Sequence, residues 1–326
     1  MPVITVKNLE KRFNLEAGFF ASFGRFVHAV RGLSFSIGEN ESYGLVGESG
    51  CGKTTTARLL VRMYRWDGGT IRYGNDTDVA ALSGPALKDY REKVKYVFQD
   101  PARSLNPRMT VNDVLISGYR HSSHFPGEKT ARDEAARILT EVGLSPADRE
   151  KRPSEFSGGQ RQRISIARGL LMRPELLICD EVVSALDVSI QGQILNLLLD
   201  IREKRGLSFL FIAHDLKVAC YFCDRIGVMY QGELMEEGPA ENLYRDARHP
   251  YTRLLFSSVS GTGDPRHSFS VPPGPPAGGS AETEGPRCPF APRCIRAEAR
   301  CFAEHPELRD LGPGRRVRCF FMAEEP

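Results

Sequence analysis

The octapeptide "GESGCGKT", Gly47 to Thr54, stands between the apolar run "YGLV" and the helical-looking "TTARLLVRMY". A loop of the pattern G-x-x-x-x-G-K-[ST] needs a strand to deliver it and a helix to receive it. Its glycines turn backbone N–H groups inward around phosphate oxygens, and the helix start adds its positive end. Gly47, Glu48, Ser49, Gly50, Cys51 and Gly52 form the cradle. Lys53 can reach the β and γ phosphates, and Thr54, followed by Thr55, brings a hydroxyl to Mg²⁺. The motif thus predicts both a polyphosphate ligand and a strand–loop–helix unit within a largely parallel sheet.

The rest of the chain fits that architecture. "VITVKNLEKRF" alternates as a strand does, and "VRGLSFSIGENESYGLVG" holds two more strand-like runs. Ile190, Ile194, Leu197, Leu198 and Ile201 recur at helical spacing until Gly206 stops them, and "LSFLFIA" then reads as a short buried strand. Residues 100–160 have no strand-like run and predict an inserted helical subdomain. The Pro- and Gly-rich stretch 261–286 predicts a linker, with a Cys-rich extension over 287–326.

Two further motifs carry chemistry. "LLICDE", 176–181, is an apolar strand ending in acids: Asp180 can hold the Mg²⁺ from its second side, and Glu181 can orient or deprotonate an attacking water. In "FSGGQRQR", Ser157, Gly158, Gly159 and Gln160 open another helix with bare amides, a second anion-binding helix end.

With these motifs in this order, residues 1–260 resemble the ATP-binding cassette family, with Phe156 standing where Leu is commoner in the signature. The resemblance implies a P-loop NTPase cassette: an α/β core with a mainly parallel sheet, an antiparallel β-subdomain and the inserted helical subdomain. It implies that Gln99 is the Q-loop residue and a Mg²⁺ ligand, that Ser184, Ala185, Leu186 and Asp187 are the D-loop, and that His214 is the switch histidine. Phe13 aligns with the aromatic that stacks on adenine. Val182 stands where proline is usual; it removes no catalytic group, so hydrolysis is expected to survive. His121 and His124 match nothing and read as solvated loop residues.

In this family ATP is sandwiched between one cassette's phosphate loop and the signature of a second, so a dimer is implied. A finer resemblance is to ATPase subunits of dipeptide and oligopeptide importers, carried by "FQDPARSLNPRMTV" (98–111), "RHPYTRLL" (248–255), the insertion "GFFASFGRFVHAVRGLSF" and the tail cysteines. It implies a second ABC ATPase subunit, a heterodimer being favoured, with two transmembrane permease subunits and, indirectly, an external solute-binding protein. The expected place is peripheral, on the cytoplasmic side of the cell membrane. A soluble cassette ATPase acting on nucleic acid or the ribosome is the alternative.

Composition bears on these choices. No run approaches the roughly 18 apolar residues of a membrane span, and the charged start "MPVITVKNLEKRF" does not read as a signal peptide. A net charge of +3 over 326 residues does not call for nucleic acid. Of the eight cysteines, Cys220 and Cys223 read as helix packing. Cys288, Cys294, Cys301 and Cys319 form a group whose gaps exceed those of the usual zinc pairs. Some members of the peptide-importer family hold a four-iron, four-sulfur cluster on such a tail, and that cluster is the expectation, with zinc and then free thiols as the alternatives. Eight arginines lie around these thiols and could offset a cluster's negative charge, or form a solvated basic face or a lipid-headgroup contact.

Overall fold

The computed structural model describes residues 1–14, 26–259 and 287–322. The expected linker lies outside them, as do residues 18–25 of the insertion after the first strand. The chain forms two compact units: Met1–Val3, Ile37–Glu41 and Tyr73–Leu210 make one, and Ile4–Ser36, Ser42–Arg72 and Phe211–Pro326 the other.

In the second unit the strand Ser42–Val46 is buried at every residue, as its unbroken small and apolar sequence requires. It pairs in parallel with Arg225–Tyr230, Val46 lying opposite Val228. Arg225–Tyr230 returns through Gln231 and Gly232 into the antiparallel strand Glu233–Pro239. On the far side of that strand lies Arg316–Val317, with Glu236 opposite Val317, and beyond it Arg309–Asp310. The cysteine-rich tail therefore extends the same run of strands that delivers the phosphate loop. Phe26–Gly38, Pro2–Asn14 and Gly68–Tyr73 lie side by side in a separate sheet.

Three of the tail arginines, Arg315, Arg316 and Arg318, are ties to the neighbouring strands rather than part of a solvated face, while Arg296, Arg300 and Arg309 are exposed. Glu237, only 1% exposed, accepts from the Tyr43 hydroxyl at 2.8 Å, from Arg225 at 2.8 Å and from Arg316 Nε at 2.7 Å. A buried carboxylate is tolerated in a sheet when its oxygens are satisfied in this way. Arg318 donates its N–H to the Met235 carbonyl at 2.8 Å and its Nε to that of Leu234 at 3.0 Å. Arg315 reaches the Asp246 carbonyl at 2.8 Å.

In the first unit Leu176–Asp180, wholly buried, pairs in parallel with Val94–Val97, with Val97 opposite Cys179. Ser208–Ala213 lies on the other side of Leu176–Asp180. Between Val97 and Leu176 there is no strand; Val111–Tyr119 and Glu128–Glu141 are helices, as the sequence predicts for 100–160. Val188–Arg205 is a helix ended by Gly206 in the left-handed conformation. The larger sheet joins parallel pairs to antiparallel ones, because the strands from Arg225 onward turn back on themselves.

Candidate nucleotide site

The phosphate loop lies in the second unit, between Ser42–Val46 and the helix Lys53–Leu60. A Cβ built on Gly47 would stand 2.2 Å from the Met229 carbonyl oxygen, and one on Gly52 would stand 2.2 Å from that of Ala29. Gly52 also has φ +109°, so no other residue fits there without strain. The loop is thus pressed against neighbouring backbone at both ends. It is further pinned by the Gly232 N–H, which donates to the Cys51 carbonyl at 2.9 Å.

Lys53, buried, curls back onto the loop: Nζ donates to the carbonyls of Gly47 at 2.6 Å and Glu48 at 3.0 Å. Cys51 fills the floor beneath it, and burial pushes its thiol pKa up. The helix has no acidic residue in its first turn to compete for its positive end. Phe13, at the end of Pro2–Asn14, is half-buried against Tyr64, their rings edge to face at 5.4 Å. His214 follows Ser208–Ala213 and is exposed. Next to it, Asp215 caps the following helix by accepting from the Lys217 N–H at 2.8 Å.

The first unit gathers the acids. Asp180 is buried and accepts a hydrogen bond from the Tyr96 hydroxyl. Glu181 stands just past the strand in the left-handed conformation, φ +49°, and accepts from Gln99 Nε2 at 2.6 Å. The turn through Ser184, Ala185, Leu186 and Asp187 is fastened without proline. Ser184 donates its N–H and hydroxyl to the Glu181 carbonyl at 3.1 and 2.9 Å, Val182 is buried, and Gln191 Nε2 donates to the Leu186 carbonyl at 3.0 Å.

Ser157 and Gln160 form a reciprocal capping box on the helix Gly158–Leu170. Gly159 lies so close to Ile190 that a Cβ would stand 2.7 Å from it, while Phe156 is buried in the Leu position.

The four tail cysteines do come together. Cys288, Cys294, Cys301 and Cys319 line one small cavity of about 10 Å³, with His249, Phe290 and Arg296 also on its wall. Burial pushes the thiol pKa values up, to about 12 at Cys288 and about 11 at Cys319. Among the described residues, however, no three His, Cys, Asp or Glu side chains are grouped closely enough to hold a metal ion. All eight cysteines are free. Cys220 and Cys223 are packing residues as expected: Cys223 is buried against Gly44, and Cys220 Sγ lies 3.6 Å from the Ala240 carbonyl.

Three residues with evident roles carry no motif in the sequence reading: Tyr96 on Asp180, and Tyr251 and Arg293 on Glu48. Tyr251 lies inside "RHPYTRLL" and Arg293 is among the arginines noted around the thiols, but nothing local in the sequence points either of them at Glu48.

Comparison with known proteins decides the family. Residues 30–184 match the model described as ABC transporter, and residues 235–301 match the oligopeptide/dipeptide transporter C-terminal region. The chain is 40% identical to the putative oligopeptide transport ATP-binding protein YkfD of Bacillus subtilis, over 98% of this chain and 95% of that protein. The chain belongs to the ATP-binding subunits of ABC importers of the oligopeptide/dipeptide family. Oligopeptide transport ATP-binding protein AppF of Bacillus subtilis is also 40% identical, over 97% and 96% of the two chains. Glutathione import ATP-binding protein GsiA of Escherichia coli is 45% identical over 79% of this chain but only 41% of its own length.

Among solved structures, cbiO1 of Clostridium perfringens superposes with a TM-score of 0.65 at 25% identity, covering 75% of this chain and 91% of that one. The dimeric MJ0796 cassette bound to ADP and Pi gives 0.63 at 26%, covering 73% and 98%. As a member of this family the chain is an ATPase, and nothing in these comparisons favours action on nucleic acid or the ribosome. No helix among the described residues is long and apolar enough to cross a membrane.

The packing at Gly52 gives a direct test. Gly52→Ala is expected to abolish measurable ATP binding in an equilibrium titration and to lower stability by about 1–3 kcal/mol in thermal unfolding. Wild-type affinity in that variant would contradict the loop geometry.

Proposed function

We propose that this ATPase drives uptake of short peptides or closely related solutes, from the cytoplasmic face of the membrane, through two separate permease subunits served by an external solute-binding protein. The observation that carries this reading is the match of residues 235–301 to a region specific to oligopeptide and dipeptide transporters. Relatives named for oligopeptide transport and for import of glutathione, itself a small peptide, support it. Residues 1–260 act as the cassette, 261–286 as a linker and 287–326 as the cysteine-rich extension.

In the proposed site, Phe13 stacks on adenine, the amides from Gly47 to Thr55 cradle the phosphates, and Lys53 leaves its two loop carbonyls for the β and γ phosphates. Thr54, Gln99 and Asp180 are placed by type and sequence to hold Mg²⁺, which would neutralise phosphate charge as the γ-phosphoryl leaves. Glu181 is the base for the attacking water, and His214 senses the γ-phosphate. Gln99 donates to Glu181 at 2.6 Å in the present state. Its release would free that carboxylate oxygen to accept a proton from water.

Ser157, Gly158, Gly159 and Gln160 would close on ATP held by a second cassette, and Asp187 with its D-loop would face that partner. A different ATPase subunit is favoured as that partner. Two helix ends facing one γ-phosphate make ATP the ligand that stabilises closure, and hydrolysis the event that releases it.

The thiols are proposed to hold a four-iron, four-sulfur cluster. Cys288, Cys294, Cys301 and Cys319 all line one cavity, with His249 on its wall, and their sequence gaps are wider than those of the usual zinc pairs. Such a cluster would supply a one-electron redox centre and bind the tail segments to one another. The cavity is about the size of one water, so uptake requires the half-buried Cys294 and Cys319 to move outward.

Glu181→Gln is expected to retain ATP binding, to lower turnover by about 10²-fold or more and to accumulate a closed dimer, read by ATPase assay and size-exclusion chromatography. Wild-type hydrolysis would remove Glu181 from that role. Protein purified without oxygen is expected to contain about four iron and four acid-labile sulfide per chain. One zinc without sulfide would make the tail a structural knot instead.

A further inference from the structure

We propose that Arg293, in the cysteine-rich tail, is a positioning residue for ATP: it holds the phosphate loop by the Glu48 carboxylate, so that nucleotide affinity depends on how the tail is packed. The contact is bidentate, Nη1 and Nη2 each 2.8 Å from a Glu48 oxygen, and the two side chains are only 13% and 26% exposed. Paired guanidinium–carboxylate bonds fix direction as well as distance. The guanidinium is itself held in place, 5.7 Å from the Tyr230 ring centre and 5.8 Å from that of Phe290.

Glu48 is gripped a second time through its backbone. Its N–H donates to the hydroxyl of the buried Tyr251 at 2.9 Å, and the Tyr251 N–H donates in turn to His249 Nδ1 at 3.0 Å. Phe290 lies against Tyr230 and Tyr251, ring centres 5.4 and 5.3 Å away. His249 and Phe290 are also walls of the cysteine cavity. One residue of the loop is therefore fixed at both ends by groups whose other faces belong to the tail.

The consequence for ATP has two parts. The Glu48 carbonyl is one of the acceptors that place the Lys53 ammonium, so a shift of Glu48 moves the head group meant for the phosphates. Glu48 also puts a carboxylate into a loop that must receive a polyanion. Arg293 neutralises that charge, and without it the loop would repel phosphate.

This inference rests on the reading of the loop from Gly47 to Thr54 as the ATP site. The test is carried out on the full chain, with ATP affinity by equilibrium titration, KM and kcat by steady-state hydrolysis, and thermal unfolding in parallel. R293Q is expected to weaken ATP binding about five- to tenfold and to raise KM by a similar factor, with kcat changing less than KM. R293K, which keeps charge but not the fork, should fall between R293Q and wild type. In the R293Q/E48Q double variant the uncompensated carboxylate is gone, so affinity should recover part of the loss.

Wild-type affinity in R293Q with only a lower unfolding temperature would make the contact a mere fastening and overturn the proposal. Additive losses in the double variant would overturn it too. If R293Q does not fold, R293K decides: an unchanged KM is the contrary result. Absence of ATP binding in the wild-type chain would overturn the nucleotide-site reading, and the proposal with it.

Discussion

Backbone amides can surround a polyphosphate only where no side chain stands in their way and where the chain behind them cannot retreat. In this ATPase both conditions meet at Gly47 and Gly52, each with a main-chain carbonyl 2.2 Å from the place a Cβ would occupy. The carbonyls belong to Met229 and Ala29, on strands packed around the loop. Ser42–Val46 and Arg225–Tyr230 are buried and paired in parallel, giving the loop a rigid base. Lys53 satisfies its ammonium on the Gly47 and Glu48 carbonyls of the loop. A buried cation needs such acceptors, and their geometry keeps the site ready for an anion.

The acids at the end of the strand Leu176–Asp180 obey a different logic. Asp180 ends a strand with no exposed residue, where a free carboxylate would be costly; the Tyr96 hydroxyl relieves that cost. Glu181, one residue on, takes a left-handed turn that few non-glycine residues adopt, stabilised by two bonds from Ser184 to its carbonyl. Such a conformation persists only because its neighbours hold it.

What could be read from the sequence is what local spacing fixes. The phosphate loop, the two acids after an apolar strand, the helix start at Ser157 and the helix stop at Gly206 each depend on residues a few positions apart, and each stands where the pattern puts it. The partners of these groups were not legible, because they come from far along the chain: Tyr96 is 84 residues from Asp180, Tyr251 is 203 from Glu48, and Arg293 is 245 from Glu48. No periodicity records such pairings. The tail illustrates the same limit. Its arginines and cysteines were evident as clusters, but not that Arg316 and Arg318 tie it to the strand Glu233–Pro239, nor that its thiols would surround one cavity without the spacing of a single-ion site.

The tail is thus continuous with the nucleotide machinery, in strand pairing as well as in side-chain contact. An importer ATPase has to convert ATP binding into movement of other subunits, and that coupling is the central claim for this chain. It is tested most directly by assembling the chain with its permease and second ATPase subunits in vesicles and following a labelled short peptide. The account predicts peptide accumulation that requires ATP and is lost with Glu181→Gln. ATP hydrolysis without any peptide movement, in a complex that contains every subunit and the solute-binding protein, would contradict it.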